Sequence, residues 1–209
     1  IGVAGVNWRA KLAALKFLDS GGSGYTSDAI LAIDYATKME MCVTNNSWGG
    51  GGYEQAMKDA IDAAGAKGFL FVAAAGNSSS DNDKYPFYPA AYESDNLIAV
   101  AATDNKDGMA DFSNYGRSTV DLGAPGVSVL SCWLGGTYGY AGGTSMATPH
   151  VVGAAGLLKA YRPAASGPAI KKALLDSVDV ISSLNGKVLS NGRLNVYSAM
   201  MKLQSAWLL

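Results

Sequence analysis

Histidine is almost missing from this sequence: His150 stands alone among 209 residues. A metal centre or acid–base relay built on several imidazoles is therefore excluded, and proton transfer through imidazole has one candidate. Cysteine is scarce too. Cys42 and Cys132 are too few for a disulfide framework or a four-thiolate zinc site. Each lies in a strand-like run, so two free, buried thiols are expected, with a single bridge as the alternative left open. Charged residues make up only 16% of the chain, the formal net charge is −1, and there is no basic block. Nucleic acid is not an expected partner. No apolar run approaches the roughly 20 residues of a membrane span, so no membrane partner is expected. The opening Ile1-Gly2-Val3-Ala4-Gly5-Val6 shows no charged leader.

What is abundant is glycine, at 26 residues, within a chain that is 49% hydrophobic. That composition describes one tightly turned domain over residues 1–209, long enough for a sizeable core. Lys11–Leu18 reads as a buried strand ended by the flexible loop Asp19–Gly24. Ala29, Ile30, Ile33 and Ala36 recur at helical spacing between Ser27 and Lys38, with Thr26 or Ser27 as cap. Cys42–Trp48 reads as a strand closed by Gly49–Gly52, and Ala56–Ala64 as a helix. Phe69–Ala75 is continuously apolar, as a strand buried on both faces is. Strands follow at Leu97–Ala102 and Val120–Leu122, with further pairing over Val127–Trp133. Helices over Ala169–Val178 and Asn195–Lys202 close the chain. Strand and helix alternate through the first half, which predicts an α/β fold: a mostly parallel sheet with helices on both faces and its sites at the carboxyl ends of strands. Lys106, Asp107 and Arg117 read as surface charges.

Two stretches carry chemistry. In Gly142-Gly143-Thr144-Ser145-Met146-Ala147-Thr148-Pro149-His150 the glycines allow a sharp turn, and Thr144 and Ser145 are residue types that cap helices. The small and apolar run Val151–Leu158 then continues a buried helix. Ser145 is thus expected at a helix N-terminus, where unpaired N–H groups and the dipole favour an oxyanion. Pro149 falls early enough in that helix to cost little backbone bonding. In Ala73-Ala74-Ala75-Gly76-Asn77 a buried strand ends in a glycine and a carboxamide. Read alone, Gly-Asn is turn chemistry; read functionally, Asn77 is a donor to a developing oxyanion.

The eight-residue string Gly143–His150 resembles the nucleophile motif of the subtilisin-like serine peptidases, and Ala74-Ala75-Gly76-Asn77 resembles that family's oxyanion segment. The resemblance makes Ser145 the nucleophile and Asn77 the oxyanion donor. Asn45–Gly50, with Ser47, Trp48 and Gly49, resembles the wall of the specificity pocket, and Gly22, Ser23 and Gly24 the opposite substrate edge. Ala74, Ala75 and Gly76 complete the implied substrate contacts. Tyr88-Pro89-Ala90 resembles the place of a cis-proline beside the pocket, and Ala110–Gly116 and Leu122–Gly126 match as well. Together these strings cover roughly Ile1 to Val196.

The implied function is a serine endopeptidase acting on protein or peptide substrates, secreted, monomeric when complete, and needing no cofactor for its chemistry. The resemblance also implies structural calcium in a full-length protein, one loop lying around Ile1-Gly2-Val3. Asp81 and Asp83 are read as a solvated acidic turn and no metal ligand is assigned.

One departure matters. In the family a His takes the serine proton and an Asp orients that His, in motifs that precede the part matched by Ile1. No His-Gly-Thr-His string occurs here. His150 follows Ser145 by five residues, about 7.5 Å along a helix and about 140° around it, and so is misplaced as a base. An α/β-hydrolase reading fails too, because no histidine follows residue 150. The chain is therefore expected to lack the fold's amino-terminal strand and helix, to begin after the native start, and to be inactive or nearly so alone. The alternatives are a peptide-binding module that does not cut, or a structural relic.

Overall fold

The computed structural model describes residues 2–205. Ile1, the first residue of the segment linked by resemblance to a calcium loop, lies outside the described residues. The alternating runs become alternating elements: α1 (Thr26–Lys38), β1 (Val43–Asn46), α2 (Gln55–Ala66), β2 (Leu70–Ala74), β3 (Leu97–Thr103) and β4 (Leu122–Pro125). A hairpin follows, β5 (Val129–Trp133) and β6 (Thr137–Ala141), then the long α3 (Thr144–Tyr161) and α4 (Gly167–Leu175). Two short strands, β7 (Asp179–Val180) and β8 (Gly192–Arg193), precede α5 (Val196–Ser205).

The main sheet runs β1-β2-β3-β4-β8-β7. Its first five strands are parallel, and β7 is antiparallel to β8. Period-two alternation splits the apolar runs between two cores. Leu70, Val72, Ile98 and Val100 face α3 and α4 through Val151, Leu158, Ile170 and Leu174. Phe71, Ala73, Leu97 and Ala99 face α1 and α2 through Ile33, Met57 and Ile61. The result is the three-layer α/β arrangement expected, with the ends of β1 and β2 beside the start of α3.

Several local expectations are corrected. Lys11–Leu18 forms no strand. Only Leu15 and Phe17 lean on the α1–α2 core, while Leu12 is 95% exposed. An apolar run becomes a strand only where a neighbouring backbone accepts its hydrogen bonds, and these residues have no such ladder. The fourth strand starts at Leu122 rather than Val120, because the Val120 N–H turns back to the Gly116 carbonyl (3.0 Å). Cys42 and Cys132 are free as expected but exposed, since β1 is at the sheet edge and β5 lies in the solvated hairpin. Neither Thr26 nor Ser27 caps α1; Tyr25 holds the cap position without a side-chain bond. The cis bond at Tyr88–Pro89 is present.

The sheet also buries a charge. One Asp121 carboxylate oxygen accepts the Ala99 N–H (2.8 Å), and the other lies 3.3 Å from Lys171 Nζ. Burial pushes the Asp121 carboxyl up, against the pull of Lys171 and the Ala99 amide. A raised native pKa adds stability that is fully present below the unfolded value and is lost as pH rises through the native one. Lys171→Ala removes the compensating cation, and breaking a buried pair costs about 3–5 kcal/mol. The expected result is a melting temperature lower by roughly 10 °C at neutral pH, with a smaller deficit at pH 5 than at pH 8. Calorimetry of the two proteins at both pH values checks this.

Candidate active site

Both chemically marked stretches meet where β2 ends and α3 begins. After Ala74 the strand runs on through Ala75, whose N–H donates to the Val100 carbonyl (3.0 Å). Gly76 then adopts φ +109°, and a Cβ there would lie 2.4 Å from Asn114 Nδ2. Only glycine takes this turn, and the turn carries Asn77 out of the sheet to an exposed position.

The start of α3 is built equally tightly. Gly143, at φ +153°, is the cap residue, and its carbonyl accepts the N–H groups of Met146 (3.0 Å) and Ala147 (3.3 Å). Neither Thr144 nor Ser145 caps the helix with its own side chain, as the sequence suggested; both stand in its first turn. Capping comes instead from across the site. Asn77 Oδ1 accepts the Thr144 N–H (2.8 Å) and the Thr144 hydroxyl (3.0 Å). That hydroxyl in turn accepts the Gly76 N–H (3.1 Å). Since Thr144 N–H requires an acceptor, the oxygen of Asn77 must face it and Nδ2 must face away. A Cβ on Gly143 would lie 3.5 Å from that Nδ2. Among the described residues, neither Asn77 Nδ2 nor the Ser145 N–H has an acceptor. Two donors are thus left open at the first turn of α3, where the helix dipole is also positive.

Ser145 is half-buried, and its hydroxyl donates only a long bond to the Ser47 carbonyl (3.4 Å). Ser47 returns a better one: its Oγ donates to the Ser145 carbonyl (2.9 Å). Pro149 explains why that carbonyl is available. It is four residues on and has no N–H, so the Ser145 carbonyl has no partner within α3. The cost of the proline is thereby met from the end of β1. Asn45 Nδ2 donates to Ser47 Oγ (3.0 Å) and fixes it.

The remaining predicted residues are placed unevenly. Trp48 meets Phe17 edge-on, with ring centroids 5.0 Å apart. Gly49 admits the Phe87 ring, which a Cβ there would meet at 2.4 Å. Ala74, Ala75 and Gly76 are buried. Gly22, Ser23 and Gly24 are exposed in a loop held by Asp19, whose carboxylate accepts the N–H groups of Gly21 (2.8 Å) and Ser23 (3.0 Å). That loop is linked to the site through Phe17: Gly24 packs on the backbone of Phe17, and Phe17 touches Trp48.

His150 does not approach Ser145. Its Nδ1 donates to the Met146 carbonyl (2.9 Å) on its own helix. Among the described residues no group of three or more His, Cys, Asp or Glu could hold a metal ion. Asp83 instead accepts the Thr119 N–H (3.0 Å) and hydroxyl (2.7 Å), and Asp81 pairs with Lys84 (3.1 Å).

Sequence reasoning did not single out Thr144 as the clamp on Asn77, nor Asn82 and Asn114 beneath it. A buried asparagine carries no signal in its neighbours' periodicity.

A serine in the first turn of a buried helix, with two open N–H donors beside it, is an arrangement that can stabilise an oxyanion next to a hydroxyl nucleophile. The chain is a member of the subtilase family, whose model (Peptidase_S8, subtilase family) matches residues 1–197. It is similar to the thermophilic serine proteinase of Bacillus sp. strain AK1, at 41% identity over 95% of this chain and 47% of that one. It is similar to subtilisin amylosacchariticus of Bacillus subtilis subsp. amylosacchariticus, at 42% over 95% and 51%. Thermitase of Thermoactinomyces vulgaris is 40% identical over 95% and 68%. The chain spans about half the length of the first two of these relatives. Among solved structures, a protease of Pseudoalteromonas arctica PAMC 21717 aligns with a TM-score of 0.85 at 30% identity, covering 96% of this chain and 65% of that one.

Proposed function

We propose that this chain is the nucleophile-bearing part of a secreted serine endopeptidase domain whose substrates are proteins or peptides. The observation that carries this reading is the clamp between Thr144 and Asn77, which leaves Asn77 Nδ2 open beside Ser145. Ser145 Oγ attacks the scissile carbonyl carbon and forms the C–O bond while its proton passes to a base. The carbonyl oxygen becomes an oxyanion and accepts from Asn77 Nδ2 and the Ser145 N–H. Collapse breaks the C–N bond, the leaving amine takes the proton, and water then hydrolyses the acyl-serine. An extended substrate lies between the edge at Ser47, Trp48 and Gly49 and the edge at Gly22, Ser23 and Gly24. No cofactor enters these steps.

The base is not on this chain. His150 is its only histidine and is bound to Met146. The reading takes the His and its orienting Asp from residues outside this sequence. A second reading, a peptide-holding module that does not cut, rests on that same missing base.

The test is a fluorophosphonate applied to the protein expressed from the complete upstream reading frame, with the adduct located by mass spectrometry. Rapid adduct formation on Ser145, and none in Ser145→Ala, is expected. Peptide binding without an adduct favours the holding module and overturns the peptidase reading.

A further inference from the structure

Asn77 is exposed and lies one residue beyond a glycine turn, yet its amide must hold one position relative to Ser145. The Thr144 bonds grip its side chain. Its backbone is gripped from below by two asparagines that are themselves out of solvent, Asn82 at 0% and Asn114 at 2% exposure. The Asn114 N–H donates to the Gly76 carbonyl (2.9 Å), just before Asn77. Asn114 Oδ1 accepts the N–H groups of Ser78 (2.8 Å) and Ser80 (3.1 Å), just after it. One residue thus holds the chain on both sides of Asn77. Asn114 Nδ2 donates to Asn82 Oδ1 (3.0 Å), and Asn82 Nδ2 donates to the Ala75 carbonyl (2.9 Å) at the end of the strand. The Asn114 amide also fills the space that a Cβ on Gly76 would occupy.

We infer that Asn114, backed by Asn82, is the positioning residue that fixes the Asn77 carboxamide against Ser145. The inference rests on the proposed role of Asn77. The chemistry demands a carboxamide at 114. The Ser78 and Ser80 amides need an acceptor and Asn82 Oδ1 needs a donor, and a single neutral side chain supplies both. Aspartate offers the acceptor but sets a buried oxygen against Asn82 Oδ1. Alanine leaves two N–H groups and one carbonyl without partners. In either case the loop relaxes, and displacement of a catalytic group by about 1 Å costs up to about 10²-fold in rate.

The experiment is a double-mutant cycle in the complete protein carrying its own base, with Asn77→Ala, Asn114→Ala, both together, and Asn82→Ala as the milder variant. Melting temperatures are recorded for all four. Asn114→Ala is expected to lower kcat by roughly 10- to 10²-fold with KM nearly unchanged. The double variant is expected to be as slow as Asn77→Ala alone, because a positioning residue has nothing left to position. Asn82→Ala is expected to show the same pattern at smaller size, and it carries the test if Asn114→Ala does not fold. Equal kcat losses in both backgrounds, or a raised KM with kcat intact, overturn the inference. An Asn77→Ala variant that keeps full kcat overturns the role of Asn77 itself, and is recognised from that single variant.

Discussion

The 209-residue chain alone is expected to hydrolyse casein no faster than a weak background, and a fluorophosphonate is expected to label its Ser145 slowly. An alcohol is a poor nucleophile at neutral pH unless a base takes its proton. The Ser145 hydroxyl has only the Ser47 carbonyl at 3.4 Å, an acceptor that cannot carry the proton away. His150 is held on its own helix by Met146. In the proposed mechanism the donors at Asn77 and Ser145 still bind an oxyanion, so some rate over water is expected to survive. In a subtilisin, a relative of this chain, that remainder is about 10³–10⁴, and loss of the whole triad costs about 2 × 10⁶ in kcat. On the scale of that relative, supplying the His and Asp that the proposed mechanism takes from outside this sequence is expected to raise kcat by about six orders of magnitude, as read by peptide hydrolysis. Rapid cleavage by the chain alone that vanishes in Ser145→Ala would show that another residue serves as base, and the missing dyad would no longer explain the activity.

Asn77→Ala in the active protein is the second large effect. Its carboxamide has two jobs. Oδ1 accepts from the Thr144 N–H and hydroxyl, and in the proposed mechanism Nδ2 donates to the developing oxyanion. Alanine removes both, and kcat is expected to drop by about 10²–10³ with KM little altered, the range set by the oxyanion donor of a subtilisin. Asn77→Asp separates the two jobs, since it keeps the acceptors toward Thr144 and lacks the donor. It is expected to be as slow as alanine while retaining the melting temperature of the parent. A steady-state kcat for Asn77→Asp within about threefold of the parent would remove Asn77 from the chemistry.

How much of this was legible depended on how local the physics is. Phe69–Ala75 and Leu97–Ala102 had to be central strands, because only a sheet covered on both faces buries every residue in turn. Ser145 at a helix start follows from Gly143 and the apolar run behind it. The links across the site were not legible. Thr144 looked like a helix cap and instead bonds Gly76 and Asn77, the latter 67 residues away in sequence. Asn82 and Asn114 were not singled out, because a buried carboxamide is recognised only when its partners are known. The strand expected at Lys11–Leu18 failed for the complementary reason: apolar composition does not supply a hydrogen-bonding neighbour. β7 and β8 are two residues each, too short for any period, and are set by pairing of Gly192 and Arg193 with their neighbours.

The central claim is that Ser145 and Asn77 form one acyl-transfer site. It is tested most directly by a crystal structure of the complete protein inactivated with a fluorophosphonate. The account predicts phosphorus bonded to Ser145 Oγ, with a phosphoryl oxygen about 3 Å from both Asn77 Nδ2 and the Ser145 N–H. An adduct on another residue, or a phosphoryl oxygen turned away from Asn77 with Nδ2 still bound to solvent, would contradict it.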